Sequence, residues 1–511
     1  MDTQYDLVKR RGVVGPVGSA TAALTLALSA VAISAHSADF MIGPVQARTT
    51  ALASVGTIIR AEKANSALKA SQAGNANFDR WDPVSTVAKF TADIDLSYQN
   101  YGLFLRGNTW YDYELKKGNR PVGNAANGYT PGKPLSDRGF PSEQKFSGAQ
   151  LLDAYAYAEW DVNNIPVGVR AGRHALAWGE SMLLGGGINI INPYDVAALQ
   201  RAGSELKEAL LPVGMVSVNA GVTNDLNLSA FYQYEWEATR LPQCGTFFSV
   251  FDGVQEGCTT ADFGFGLMDG HFKSPDNGGQ YGVAARYFST ELKTEFGAYY
   301  VNYHSRNPFV GNFTATDYDV LFPEDIQIFG LSAAGSIGTS SVYGEVAYRI
   351  DQPVTGGFTG KGYDTFNNWN LIVGTIYSMP RVLGSDELSL TAEVGYNRTQ
   401  GLPGGGVYGN TTSSAWGYRL FSSMTYTDAF LGVNVTPSFG LDHDIKGVSA
   451  DSIFIEDRVV GTLGVQFEYL KNYLLDVNYT ANLGKKKDRN GQYLNASHDR
   501  DFIGISATVL F

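Results

Sequence analysis

The sequence predicts an all-β fold: a transmembrane outer-membrane β-barrel of about 18 antiparallel strands, with about 16 as the alternative. Three observations predict it. Segments with alternating apolar and polar residues recur through most of the chain, the connections between them are alternately short and long, and 13% of the residues are aromatic while only 17% are charged. This is typical of outer-membrane barrels, in which only alternate residues face lipid.

The connections favour a barrel over a soluble sandwich. From the second strand on, turns such as "NYG", "NNI" and "TND" are short, whereas residues 115–148, 174–211, 238–278 and 304–325 form long excursions. A membrane barrel predicts this parity, because its periplasmic turns are short and its extracellular loops are long. We place the strands at residues 50–63, 86–98, 102–114, 149–162, 165–175, 212–222, 225–237, 279–290, 291–303, 326–337, 340–351, 367–379, 386–398, 415–428, 430–442, 457–470, 472–484 and 499–511.

The alternation is clearest in the segment "YLLDVNYTANL". Its apolar residues share one face, while Asp476, Asn478 and Thr480 share the other. In a barrel, the first face would contact lipid and the second would line the lumen.

The chain ends in a further strand, "FIGISATVLF". Because an unpaired strand edge is too costly in lipid, this last strand should pair with the first and close the barrel. A terminal aromatic strand is also the pattern that the barrel assembly machinery of the outer membrane reads. The predicted assembly signal is Ile503, Ile505, Val509 and Phe511.

The start of the chain predicts a secretory signal peptide over residues 1–38. Basic residues at positions 9–11 precede an apolar stretch, and "SAHSA" supplies small residues for cleavage after Ala35 or Ala38. The mature protein is then a single barrel domain over residues 39–511. A membrane anchor is the alternative interpretation, but the apolar run is short and is interrupted by Ala and Ser.

The formal net charge of −12 argues against nucleic acid as a partner. The two cysteines, Cys244 and Cys258, are expected to form a disulfide, because an exported protein folds in an oxidising compartment. A disulfide with this spacing contributes roughly 3 kcal/mol. No phosphate loop, dinucleotide fingerprint or zinc spacing occurs, so we expect no cofactor and no metal.

Charged residues fall on the polar faces of several predicted strands. A barrel of this size is wide enough to hold water. We expect most of these charges to be paired or solvated. A more specific hypothesis is that they give the channel a mild preference for cations. The residues are Asp93, Asp95, Asp153, Glu159, Glu235, Glu295, Glu345, Glu393, Glu468 and Asp476, with Lys89, Arg106, Arg170, Lys293 and Arg349 as counterparts.

Residues 176–211 differ from a surface loop in their density of apolar, aromatic and charged residues. "NPYDVAALQRA" predicts a short helix with Asn192 as the N-cap and Pro193 at the first helical position. "SELKEALL" predicts a second helix start at Ser204. We expect this insert to fold into the lumen as a constriction or plug, with an outer cap as the alternative. The candidate constriction residues are Arg170, Arg173, His174, Trp178, Glu180, Ser181, Asn192, Asp195, Lys207 and Glu208.

The insert also carries a family resemblance. "GRHALAWGES", "INPYDV", "GSELKEALLPVGMVSVN" and "LSAFYQYEW" resemble a Gram-negative outer-membrane barrel family known as a domain of unknown function, number thirteen-oh-two. Two positions depart from the family pattern, with His174 where Gln is common and Ala202 where Pro is usual.

The resemblance implies a part of an envelope system that handles hydrophobic compounds. The implied partners are a periplasmic or lipoprotein carrier and an inner-membrane transporter of the resistance-nodulation-division type. Outer-membrane lipid and lipopolysaccharide are further expected partners.

Three classes of function follow. The first is a channel or transporter, whose solute the resemblance shifts toward hydrophobic small molecules or lipids. The second is a hydrolase with Ser181, His174 and the acids of "DHD" at residues 442–444, but the segment around Ser181 lacks the last glycine of G-x-S-x-G. The third is a structural or adhesive surface protein. We expect the first class, and no enzyme.

Overall fold

The computed structural model of the chain describes residues 38–69, 72–124, 130–258, 260–262, 266–356, 360–404 and 406–511. Apart from Ala38, the predicted signal peptide lies outside these ranges. Within them, no helix has the length and apolar character needed to cross a membrane.

The described residues form 23 strands and a few short helices. The strands are β1 (Ala38–Ile42), β2 (Val45–Arg60), β3 (Pro83–Tyr98), β4 (Tyr101–Asp112), β5 (Ser147–Val162), β6 (Ile165–His174), β7 (Val213–Gly221), β8 (Leu226–Gln233), β9 (Thr260–Asp262), β10 (Leu267–Lys273), β11 (Gln280–Ser289), β12 (Thr294–Tyr303), β13 (Phe309–Gly311), β14 (Asp317–Leu321), β15 (Ile326–Ile337), β16 (Ser340–Thr355), β17 (Tyr363–Pro380), β18 (Glu387–Thr399), β19 (Ser414–Phe430), β20 (Val433–Lys446), β21 (Val459–Tyr469), β22 (Tyr473–Leu483) and β23 (Phe502–Leu510). The α-helices are α1 (Ser66–Lys69), α2 (Ala73–Asn77), α3 (Tyr113–Lys117), α4 (Val196–Leu199) and α5 (Leu206–Ala209), with a 3-10 turn at Ser142–Gln144.

Eighteen of the strands form a closed antiparallel barrel. The barrel closes where β23 pairs with β2, from Leu52 opposite Leu510 to Arg60 opposite Phe502. The last residue takes part, because the N–H of Phe511 donates to the carbonyl of Ala51 at 2.8 Å. The prediction that the chain end seals the barrel is therefore confirmed, and the strand count is 18 rather than 16.

Each of the 18 predicted strands corresponds to one wall strand. The boundaries differ most where strands are long: β2 begins five residues before the predicted residue 50, and β17 begins at Tyr363 rather than 367. Strand β1 was not predicted; it pairs with the first residues of β2 as a hairpin.

The two faces of β22 and β23 separate as the alternation predicts. Leu475 and Ile505 are exposed on the outer surface, where lipid surrounds the barrel, whereas Thr480, Ser506 and Thr508 are buried on the inner side. A closed barrel with this apolar outer face belongs in the outer membrane of a Gram-negative bacterium.

The two ends of the barrel are unequal. At one end the turns have two to six residues, and at the other the long connections build an outer layer. Two of these loops form a separate sheet with the order β13-β14-β10-β9, in which β10 and β14 are parallel. This small sheet was not predicted.

The predicted disulfide between Cys244 and Cys258 is present in the outer layer. Both cysteines are fully buried in a cluster with Phe78, Phe140 and Phe247. The disulfide thus lies among side chains from three different long loops.

Candidate functional site

The insert, residues 175–212 in the structure, contacts inward-facing side chains of wall strands on both sides of the barrel. That it acts as a constriction or plug stays a prediction. Its first arm, residues 176–191, packs against the inner faces of β7 to β16. Trp178 anchors this arm, with ring centroids 5.1 Å from Phe231 and 6.0 Å from Tyr299. The arm fills this side of the lumen with an apolar core.

Two buried carboxylates of the wall bind the backbone of the first arm. Glu345 of β16 accepts from the N–H groups of Glu180 at 2.6 Å and Ile188 at 2.9 Å. Glu393 of β18 accepts from the N–H groups of Met182 at 2.6 Å and of residues 183 and 184 at 3.0 and 2.7 Å. Neither carboxylate has a cationic partner within 4 Å among the described residues, so backbone N–H groups stabilise both charges.

Three consecutive glycines of the insert, residues 185–187, pack closely against the wall near Glu345. A Cβ on Gly187 would come within 1.7 Å of the Glu345 carboxylate. The Arg349 guanidinium donates to the Gly187 carbonyl at 2.8 Å from the same strand as Glu345. Only glycine permits this approach of backbone to carboxylate.

The second arm, residues 192–211, lies against β2, β3 and β23. Glu208 pairs with Lys89 at 2.6 Å and accepts from the Thr91 hydroxyl at 2.9 Å. A Cβ on Gly56 of β2 would lie 2.6 Å from the Cβ of Ala202, so the arm touches the wall directly. The two arms therefore attach to opposite parts of the wall.

The loop after β12 also holds the insert. Arg306 is buried and donates to the Ile191 carbonyl at 3.0 Å and to Gln233 at 2.6 Å. Burial without a carboxylate partner lowers the pKa of Arg306 to about 9. Arg306 is therefore still charged at neutral pH. Its bond to Ile191 holds the point at which the first arm ends and the second begins.

Between the second arm and the wall lies a cavity with a volume of about 570 Å³, named the main cavity here because it is the larger of two cavities that adjoin the insert. Its floor is the turn at residues 199–205, and its wall consists of inward residues of β2, β21, β22 and β23. Along β22 the lining runs from Leu474 to Asn482, a distance of about 27 Å at the usual rise of a strand. Because barrel strands are tilted by about 40°, this corresponds to about 20 Å along the barrel axis.

A small cavity of about 60 Å³ lies on the other side of the same turn, under the outer loops. Gln200, Arg201 and Phe248 line both cavities. These three residues form the partition between them.

A sequence profile of the family described as "Protein of unknown function (DUF1302)" matches residues 18–511. The chain belongs to the DUF1302 family. The family suspected from the insert is thereby confirmed. A search of curated protein sequences gives no significant match.

Several solved outer-membrane structures are similar to this DUF1302 member. OpdK of Pseudomonas aeruginosa is 10% identical, with a TM-score of 0.43 over 91% of this chain and 98% of that one. OccAB1 of Acinetobacter baumannii is 11% identical, with a TM-score of 0.45 over 91% and 96%. The channel DcaP of Acinetobacter baumannii is 9% identical, with a TM-score of 0.42 over 93% and 100%.

The ten predicted constriction residues lie on the insert and on β6, and none of them lines the main cavity. Arg173 binds Glu235 at 2.6 Å and Glu237 at 3.1 Å, while Lys207 pairs with Glu205 at 2.8 Å. Arg170 lies 5.7 Å from the Tyr155 ring centre. Trp178, Glu180, Ser181 and Glu208 attach the arms to the wall. Asp195 pairs with Arg240 of the loop after β8 at 3.3 Å. Their role in a constriction stays a prediction.

Asn192 is not the N-cap that the sequence predicted. Helix α4 begins at Val196, and Asp195 caps it by accepting from the Ala198 N–H at 2.7 Å. Asn192 instead accepts from the Leu176 N–H and donates to the Leu211 carbonyl, both at 2.8 Å. Its amide joins the two ends of the insert, which a local helix pattern cannot indicate.

The structure gives the proposed hydrolase residues separate partners. Ser181 donates to the Leu184 carbonyl at 2.5 Å, whereas His174 contacts the Ser217 hydroxyl at 2.8 Å. Asp444 pairs with Arg419 at 2.8 Å and Arg458 at 2.7 Å. In the described ranges, no group of three or more His, Cys, Asp or Glu side chains is arranged to hold a metal.

The residues that partition the two cavities were not predicted from the sequence. Gln200 and Arg201 lie near the end of "NPYDVAALQRA", a segment for which the sequence predicted only a short helix. The polar face of β22 was recognised, and Asp476, Asn478 and Thr480 do line the main cavity. A stronger signal was the absence of bulky residues on that face, which leaves space beside it.

Proposed function

We propose that the protein is an outer-membrane channel for hydrophobic small molecules and that its passage is the main cavity. The observation that carries the proposal is a space of about 570 Å³ that follows β22 along the barrel axis while the insert fills the opposite side.

The lining suits molecules with both apolar and polar parts. Asn478, Thr480 and Asn482 present neutral polar groups on one side, while Leu52 and Phe502 present apolar surface. The volume lies within the usual range for small-ligand sites, about 300 to 1,000 Å³. A small ring compound or a single acyl chain fits this space better than a whole lipid.

The insert would set the width of the passage. Its two arms are attached to the wall by Glu345, Glu393 and the Lys89–Glu208 pair, so the turn at residues 199–205 is held in place. Selectivity then depends on side chains of this turn and of the facing wall.

A hydrophobic solute that leaves the barrel enters water. We therefore propose that a periplasmic or lipoprotein carrier takes it over, and that an inner-membrane transporter of the resistance-nodulation-division type works in the same route.

Two adjacent residues of β22 provide a matched test. Asn478 lines the main cavity, whereas Val477 lies on the lipid face of the same strand. Reconstituted in planar bilayers, Asn478→Trp should reduce the single-channel current to less than about half, and Val477→Trp should leave it near wild type. A wild-type barrel that conducts no ions and passes no hydrophobic solute into liposomes would contradict the proposal and favour a structural or adhesive role.

A further inference from the structure

The partition between the two cavities carries polar groups that the fold does not use. Gln200 and Arg201 follow α4 at the tip of the insert and face Phe248 of the outer layer. A solute that moves from the outer loops into the main cavity would pass these residues.

Arg201 is a cation without an ion-pair partner. Among the described residues, no carboxylate lies within 4 Å of its guanidinium and no hydrogen bond of that group occurs. Its contact is with the Trp110 ring, whose centre lies 5.0 Å from the guanidinium carbon. A guanidinium above an aromatic face keeps its N–H edge free for a ligand.

The neighbouring charges already have partners. Glu208 pairs with Lys89 and Glu205 with Lys207. Asp112 lines the small cavity, but its oxygens accept from the Ser85 hydroxyl and from the N–H groups of residues 86 and 115. Asp112 is near enough to interact with the Arg201 charge but forms no ion pair with it within 4 Å, so the N–H groups of Arg201 remain available to a group that comes from outside.

Gln200 adds an unused acceptor. Its Oε1 atom is buried and has no hydrogen-bond donor in the described part of the chain. A buried acceptor of this kind is costly unless a ligand supplies the donor. Donor groups of Arg201 and an acceptor of Gln200 therefore lie side by side at the partition.

Aromatic rings complete the surroundings. The Phe248 ring packs edge-to-face against Phe502, with centroids 5.3 Å apart, and both line the main cavity. Trp110 lies on the side of the small cavity. These rings offer apolar surface near Gln200 and Arg201 against which the body of a ring compound can pack.

We propose that Gln200 and Arg201 are specificity-determining residues that select amphipathic ring compounds bearing a carboxylate. The guanidinium binds the carboxylate through paired N–H donors, Gln200 accepts from a hydroxyl or N–H on the same molecule, and the rings hold its apolar body. This inference rests on the proposed function, because it takes the main cavity as the route of the solute.

The test compares 1-naphthoate with neutral 1-naphthalenemethanol, which share the ring system and differ in the carboxylate. Binding to the purified barrel in detergent is measured by titration calorimetry, and block of the potassium chloride current is measured in planar bilayers. The wild type should bind 1-naphthoate about tenfold more tightly, because a charge-assisted hydrogen bond contributes at least that factor.

Arg201→Gln should abolish this preference, and Arg201→Lys should retain part of it because the charge remains. Arg138→Gln is the matched control, since it removes an exposed loop arginine that lines neither cavity. Gln200→Leu should weaken binding of the alcohol, whose hydroxyl donates to Gln200, and leave binding of 1-naphthoate unchanged, so the preference for the carboxylate should increase.

The inference is overturned if the wild type shows no preference for 1-naphthoate, or if Arg201→Gln retains the full preference. Failure of the proposed function gives a different result: no ion current from a barrel that still binds 1-naphthoate through Arg201.

Discussion

Lys89 of β3 and Glu208 of the insert form an ion pair of 2.6 Å inside the barrel, and both side chains are only 2% exposed. The Lys89 ammonium also donates to the Gly203 carbonyl at 2.8 Å. This pair fixes the second arm against the wall and with it the turn that carries Gln200 and Arg201. The width of the main cavity therefore depends in part on this buried pair of charges.

Lys89→Ala should release the second arm. Removal of one partner leaves the Glu208 carboxylate buried without compensation, which costs about 3 to 5 kcal/mol. We expect a noisier open-channel current and faster protease cleavage near residue 205. The matched control is Lys207→Ala, which breaks a pair that is one-third exposed and is expected to cost less than about 1 kcal/mol. Equal behaviour of the two variants would contradict this account.

Glu393→Ala should loosen the first arm. The variant leaves the backbone N–H groups of Met182 and its two neighbours without acceptors, at about 1 to 3 kcal/mol for each that remains buried. The expected result is a larger mean current, because the arm withdraws from the wall. Glu387→Ala on the same strand is the control, because Glu387 is exposed at the short-turn end. A Glu393→Ala current that matches the control would show that the carboxylate does not hold the arm.

Gly187→Ala tests the close approach of the insert to Glu345. The new Cβ would meet the carboxylate at 1.7 Å, so the backbone has to move and the hydrogen bonds to Glu345 are lost. We expect several kcal/mol of local destabilisation, similar to that of other overpacked sites. Hydrogen exchange of residues 180–188 measures it. Gly404→Ala, at a loop glycine with open space around it, should leave that exchange unchanged.

Reduction of Cys244–Cys258 should affect the outer layer and spare the barrel. The disulfide closes a loop with a sequence separation of 14 and contributes roughly 3 kcal/mol to the order of that loop. The reduced protein is expected to be cut by trypsin in residues 234–279 while the barrel keeps its heat-modifiable migration on gels. Loss of that migration would mean that the disulfide supports the barrel itself.

The barrel wall could be predicted from the sequence because the alternation of apolar and polar residues is visible within each strand. Tyr473–Leu483 alternates at every step, and the pairing of β23 with β2 follows from the cost of an open edge in lipid. The small outer sheet could not be predicted, because β9 and β13 have three residues each and Asp269 pairs with the distant Asp317.

The site could be predicted only in outline. The density of apolar and charged residues indicated that the insert lies in the lumen, but its contacts depend on strands far away in sequence. Asn192 follows the N-cap pattern, yet the fold uses its amide to join the ends of the insert. No local sequence pattern marks Arg201. What distinguishes it is that its guanidinium has no ion-pair or hydrogen-bond partner among the described residues, which only the folded structure shows.

The most direct test of the passage is chemical access to β22. Asn478→Cys and Val477→Cys variants, each reconstituted in a planar bilayer, are treated with a membrane-impermeant methanethiosulfonate reagent during current recording. We expect the reagent to reduce the current of Asn478→Cys and to leave that of Val477→Cys unchanged. An unchanged current in Asn478→Cys, with the thiol shown to have reacted, would contradict a passage along this wall.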